Sequence, residues 1–452
     1  RLTCGGRYAT ISRRMQKQEK RKKCMALTKQ FFKYVSQNIL GMIGFSCYVL
    51  ADSYFISIAK GADGLTALNL VMPLYSIIFS IGEMIGVGSA IRYAISKIKK
   101  DADADDYFWN ALIWCILSSM LFVFAGIFFS ADIMRVLGAD EHIVAVGNNY
   151  TKIFMCFAPM FMCNYVTNAF VRNDGAPGIA MSATLFSSLF NIVFDYILMF
   201  PMNLGMEGAA LATALSPIIG MGICSIHFFS KKSSVRLVVC KPSVRKLVAG
   251  SQLGVSAFVG EMSSAVITLA FNFVILKLAG NVGVAAYGVV ANIAIVTTAV
   301  FNGVAQGSQP LISSCFGRGD KDGCTQLKRM GYTTAFVLAA VMYSILFIFA
   351  GQFVAVFNSE GSEMLRLYAT EGVKLYFIGI FFAGINIVGG GAFSATEDAF
   401  KAAVVSVARG FVLILGAVFV MSALFGMTGV WLAYAVAEGI TTFIMLVMVL
   451  RV

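Results

Sequence analysis

Among the ionisable side chains inside stretches that are otherwise apolar, the candidates for chemistry are Asp52, Glu83, Asp195, Glu261, Glu371, Lys374 and Glu438. At the centre of a membrane helix each costs about 2.5–3.5 kcal/mol on insertion scales, so each needs a reason. Asp52 lies six residues before the end of its stretch near 58, and Asp195 six before the end of its own near 201. Thr213 lies seven residues into the next stretch, which runs back from about 206. Asn191 is one helical turn from Asp195 on the same face. Two carboxylates, a carboxamide and a hydroxyl therefore share one depth. All four are hard oxygen donors or proton carriers, suited to Na+ or to a proton. No Lys or Arg lies at that depth in the first half of the chain, and the matching stretch of the second half, Val412 to Val420, has no acid. Glu261, with Asn272 three turns on, is placed to line a cavity and meet a cationic cargo. The Gly82-x-x-x-Gly86 spacing around Glu83 is that of close helix packing. Glu371 and Lys374 are spaced to pair along one helix, and Glu438 has no assignment.

The elements that must hold these residues are membrane helices. The chain has 452 residues, 58% hydrophobic and only 13% charged, which leaves no charged shell for a soluble domain. Twelve apolar runs reach the roughly 20 residues a bilayer core requires. They lie near 34–58, 65–94, 106–130, 145–171, 177–201, 206–229, 247–278, 283–310, 328–350, 367–395, 401–424 and 428–450. The loops after the second, sixth and eighth runs are basic, among them Lys97, Lys99, Lys231, Lys232, Arg236, Arg318 and Lys321. The intervening loops are poor in base, and positive-inside then puts both termini in the cytoplasm. The reading is an all-α, multi-pass protein of the cell (plasma) membrane. It divides into a basic tail 1–33, a six-helix lobe 34–229, a cytoplasmic linker 230–246 and a second six-helix lobe 247–452.

Most of the net charge of +12 sits in that tail, where eleven basic residues face one acid. It reads as an anchor on lipid head groups; no groove-reading motif accompanies it, so no nucleic-acid partner is expected. The ten cysteines are scattered and only two histidines occur, so no disulfide framework or zinc site is readable. The chain begins at Arg1, Met15 is a candidate start, and no cleavable signal peptide is expected.

The halves repeat. Ala67-Leu68 through Gly88-Ser89 aligns with Ala286-Tyr287 through Gly307-Ser308 at an offset of 219. Gly205-Met206-Glu207-Gly208 aligns with Gly426-Met427-Thr428-Gly429 at 221. Six spans per half insert both halves the same way, giving two pseudo-symmetric lobes about an axis along the membrane normal.

Arg172-Asn173-Asp174-Gly175, Asn191-Ile-Val-Phe-Asp195-Tyr196, Phe200-Pro201, Gly208-Ala-Ala-Leu-Ala-Thr213 and Gln309-Pro310-Leu311-Ile312-Ser313 together resemble the multidrug and toxic compound extrusion (MATE) family. The resemblance implies a V-shaped, two-lobed antiporter exporting organic cations and drugs in exchange for sodium ions or protons. It places the family's cation-site residues on Asp52, Asn191, Asp195 and Thr213, with Ala209 one turn before Thr213, and the family's acid of the seventh helix on Glu261. Two features depart from it. Many members carry a proline early in the first and seventh helices, where this chain has Ser36-Gln37-Asn38 and Gly254-Val255-Ser256; Gly41 and Gly44 are then the candidates for flexing. No acid stands in the core of the tenth span.

Two rival readings remain at this level. A flippase for lipid-linked precursors would line its cavity with bases for phosphate groups, and here the cavity is acid-spotted. A membrane-embedded enzyme lacks its motifs: no H-E-x-x-H or G-x-S-x-G occurs, and Gly317-Arg318-Gly319-Asp320 reads as a loop turn. The expected partners are cationic small molecules and membrane lipids, the expected state is a monomer, and no cofactor is expected beyond the coupling ion. The cargo's identity and the choice between sodium and proton are not legible.

Overall fold

The computed structural model describes residues 4–357 and 362–450, with backbone alone for 4–23, 62, 356 and 357. Apolar runs longer than a bilayer is thick fold as helices because lipid offers no partner to a free backbone amide or carbonyl. The spans are α1 (Cys24–Gly61), α2 (Asp63–Lys99), α3 (Asp106–Val136), α4 (Glu141–Cys156 and Ala158–Asn173, bent by 46°), α5 (Pro177–Met199) and α6 (Gly205–Phe228). In the second half, Val244–Gly317 is α7 and α8, joined at Gly280; Lys321–Ile348 is α9; Glu363–Ala395 is α10; Ala399–Leu450 is α11 and α12, joined at Gly426. The twelve expected spans are therefore present among the described residues. They overrun the apolar runs at several ends because helices protrude past the hydrocarbon layer.

Glycines make the tight turns. Gly61, Gly205, Gly280 and Gly426 have φ of 60°, 51°, 62° and 58°, a region closed to most side chains. Gly61 and Gly280 are 219 residues apart, Gly205 and Gly426 are 221 apart, and the repeat read from the sequence is thus a repeat of backbone geometry.

Buried apolar side chains form two large cores. One is drawn from α1–α6 with Leu253 of α7; the other comes from α7–α12 with Phe31 and Val35 of α1. The exchange of helix ends is explained by two close crossings. A Cβ on Gly307 of α8 would stand 2.8 Å from the Val35 Cα, and one on Gly88 of α2 would stand 2.1 Å from the carbonyl oxygen of Gly250 on α7. Gly303 meets Ile39, and Gly254 meets Met84, in the same way. Gly88 and Gly307 are repeat mates, so one small-residue seam is used twice, at the end marked by the basic loops. Gly82 and Gly86 pack against the α4 backbone at Met162 and Tyr165, the close packing that their spacing predicts.

The tail is not a separate unit in the backbone. One helix runs from Cys4 into α1, and Phe31 is fully buried. Nor is the segment after α6 slack. Asp174, at the end of α4, accepts from Tyr93 (3.2 Å), His227 (2.8 Å), the Ser234 amide (2.9 Å) and the Ser233 hydroxyl (3.2 Å), and the Ser234 hydroxyl bonds it as well. Asp105 accepts from the Arg236 amide, and Asn110 both accepts from and donates to the Ser243 backbone.

Candidate cation site and central cavity

The depth-matched residues meet where α1, α5 and α6 converge. Gly41 and Gly44 of α1 lie against Met181 and Leu185 of α5, so α1 comes close to α5 there. They serve packing, and α1 runs as continuous helix through them to Gly61. Asp195 and Asn191 are fully buried; Thr213 and Asp52 are 2% and 6% exposed. Asn191 donates to the Thr213 hydroxyl at 3.1 Å, which turns its own oxygen elsewhere. That oxygen, both oxygens of Asp195 and one of Asp52 have no hydrogen-bond partner. Ala209, one turn before Thr213, is fully buried and presents only a methyl group.

Four buried oxygen atoms without partners among the described residues are costly unless something positive completes them. A small monovalent cation or a proton would do so, and the donor set is of the hard kind both require. The residues present thus fit such an ion.

The cavity lies beside this site. It is walled on the first-half side by rings, including Phe45, Tyr48, Phe79 and Tyr165, with Glu83 and Arg172 among them and Glu261 of α7 facing them. A second space opens on the second-half side, lined by Ser256, Asn302, Gln309, Ser406 and Arg409. Glu83, Val87, Glu261 and Gln306 line both, so the acids stand at the junction. Tyr48, one turn before Asp52, lines the cavity and lies within electrostatic reach of Asp52, Asp195 and Glu261. It stands between the buried oxygen cluster and the cavity wall, a position whose only trace in the sequence is its i−4 spacing from Asp52.

Glu261 lines both spaces, and Asn272 does not join it. Three turns further on the same face of α7, it is roughly 16 Å along the axis. It lies half-buried beside Phe271 and is not among the residues lining either space. The Glu371–Lys374 pair is also not made: Glu371 accepts from Thr428 at 2.6 Å, and Lys374 stands over the Phe347 ring.

Two buried networks escaped the sequence reading. At the cavity floor Arg172 donates to Asn38 (3.4 Å) and to the Gln306 carbonyl, while the Gln306 amide donates to Glu83 at 3.2 Å. Four helices, one of them α8, are tied there. In the second half Arg409 is bonded to Glu438, the closest contact being 2.7 Å. The only readable signal was Arg409 inside the apolar run 401–424; Arg172 stands just past the end of the run 145–171.

A single family model, MatE, matches the chain twice, over residues 38–197 and 257–420. The chain belongs to the MatE family. Multidrug export protein MepA of Staphylococcus aureus is 27% identical over 405 residues, covering 87% of each chain. MepA of Staphylococcus saprophyticus is 26% identical over 400 residues, again covering 87% of each. Among solved structures, an outward-facing multidrug resistance MATE family transporter of the MOP superfamily aligns with a TM-score of 0.88 at 20% identity, over 94% of this chain and 96% of the other. A MOP superfamily transporter from Pyrococcus furiosus, described as having a binding pocket of reverse polarity, aligns with a TM-score of 0.86 at 20% identity, over 93% and 95%. At that identity the structures establish the fold, a MATE fold of twelve helices in two lobes within the membrane. The two matches of the family model fall one in each half of the molecule, as the internal repeat requires.

Proposed function

We propose that this MatE-family member is a secondary active antiporter that exports lipophilic or cationic small molecules in exchange for Na+ or H+ by alternating access. The supporting observation is the cluster of unpartnered oxygens on Asp52, Asp195 and Asn191 beside an acid-spotted cavity. The kinship with multidrug export proteins agrees with it. The lobes are 34–229 and 247–452, joined by 230–246, and the chain works as a monomer in the plasma membrane with both termini cytoplasmic. The glycine seam closes the cytoplasmic end in this conformation, and cargo leaves through the opposite end. Cation binding between Asp52 and Asp195 removes their repulsion, draws α1 toward α5 and α6, and moves Tyr48 on the cavity wall; cargo and ion are coupled through that shift.

The flippase reading is weaker because the two cavity bases are already engaged, Arg172 with Gln306 and Arg409 with Glu438. A wide cleft with buried unpaired carboxylates suits ion-coupled transport better than catalysis. The test is efflux of a cationic dye from vesicles with sodium and proton gradients imposed separately. One gradient should drive efflux and the other should not. Equal efflux with neither gradient present would remove the antiport reading.

A further inference from the structure

The repeat that shapes both halves does not repeat their chemistry. At the offsets carrying Gly61 onto Gly280 and Gly205 onto Gly426, Asp52 falls on Phe271, and Asn191, Asp195 and Thr213 fall on Val412, Gly416 and Tyr434. That place in the second half is filled with rings. Phe271 stacks on Tyr287 with centroids 5.0 Å apart, Tyr376 stacks on Tyr434 at 4.4 Å, and Trp431 lies 6.4 Å from Tyr287.

The deep acid of the second half is Glu438 on α12, its side chain 3% exposed. Arg409 donates to its Oε1 from Nη2 at 2.7 Å and from Nε at 3.1 Å. Asn386 of α10 donates to its Oε2 at 2.7 Å, and the Asn386 oxygen accepts from Thr442 at 3.0 Å. Tyr434 and Tyr376 are the other titratable groups facing Arg409. Arg409 sits on a π-helical turn, Ala408–Val412, which widens α11 where the guanidinium must turn inward. The two halves thus hold the same three chemical types, a carboxylate, a carboxamide and a hydroxyl. In the first half both oxygens of Asp195 and one of Asp52 lack partners among the described residues; in the second both oxygens have donors, and one of those donors is a cation that does not lose its proton.

We propose that Arg409 is a cation tethered into the second half in place of a mobile one. Glu438 stays neutralised throughout the cycle, and the exchange is driven by the ion of the first half alone. Behind the guanidinium lies a latent site: with it removed, Glu438, Asn386 and Thr442 form a set for one sodium ion or one proton. A buried carboxylate stripped of its base must take up a positive charge. The inference rests on the antiport reading above.

The experiment counts ions on purified protein. Equilibrium binding of radioactive sodium and proton uptake, followed by indicator dye in weak buffer, together give the positive charges bound per chain. The wild-type protein should bind one, lost in Asp195→Asn. Arg409→Met should bind twice as many, and its extra equivalent should survive Asp195→Asn. The neutral pair Arg409→Met with Glu438→Gln should return to one, and that one should be lost on adding Asp195→Asn. A folded Arg409→Met that binds no more than the wild type overturns the proposal. So does a folded neutral pair that binds no ion, since Glu438 would then take part in wild-type ion binding. If Arg409→Met alone does not fold, the neutral pair decides by the same count. Wild-type protein that loses nothing in Asp195→Asn refutes the first-half ion site instead, and the increment in Arg409→Met still judges Arg409.

Discussion

Four oxygen atoms without partners, on Asp52, Asn191 and Asp195, are the most costly feature of the first half. Replacing either carboxylate by its amide removes the repulsion that an ion relieves. Asp52→Asn and Asp195→Asn should therefore each abolish gradient-driven efflux from vesicles while expression and insertion stay normal. The double variant should cost little more than either single one, because the two act as one unit. Glu261 predicts differently, since it faces the cavity and not the ion site. Glu261→Gln should change the relative efflux rates of several cationic dyes and leave their dependence on the driving gradient intact; an unchanged profile would return Glu261 to a packing role. Depth made Asp52, Asn191, Asp195 and Thr213 readable, because position along a membrane span is one-dimensional and the loop charges fix its direction. Arg409 and Glu438 were not readable as a pair. They lie on different helices, and whether two side chains meet across helices depends on rotation about each axis, which an apolar run with weak periodicity does not encode. Asn272 failed for the opposite reason: it shares a face with Glu261 but lies beyond the end of the cavity.

Among the elements, α2 and α8 carry the seam. Gly88 and Gly307 occupy equivalent places in the repeat and each faces the backbone of the opposite half. An added methyl group should wedge the basic-loop end open at a cost of about 1–3 kcal/mol to the closed arrangement. Gly88→Ala and Gly307→Ala should both speed labelling of a cysteine at Asn302, which lines the cavity on the far side of the seam from the basic loops, by a thiol reagent applied to the basic-loop side. Unchanged labelling in both would show that the seam does not hold that end shut. The sequence announced these glycines only as members of a repeat. Their partners, Val35 and Gly250, lie on the first helix of each half, and no local pattern links them to α8 and α2.

For the molecule as a whole, the boundary between tail and lobe matters. Removing residues 1–25 should leave efflux intact, because the tail has no periodic apolar face. Removal through residue 35 takes Phe31 and Val35 out of the second core and should cost both assembly and activity in the same assay. The overall architecture was legible because span count, loop charge and repeat offset are all properties of long averages. The segment following α6 was legible only as a basic linker, and its attachment changes its meaning. Bound to Asp174 and Asp105, its residues 233–236 are fastened to the first half. The peptide bonds that make one chain of two halves then transmit no motion. A protein supplied as two polypeptides, ending at Pro242 and beginning at Ser243 with a new start codon, should assemble in the membrane and export dye as the intact chain does. Failure of the two pieces to co-purify would mean that continuity of the chain, and not the glycine seam, holds the halves together.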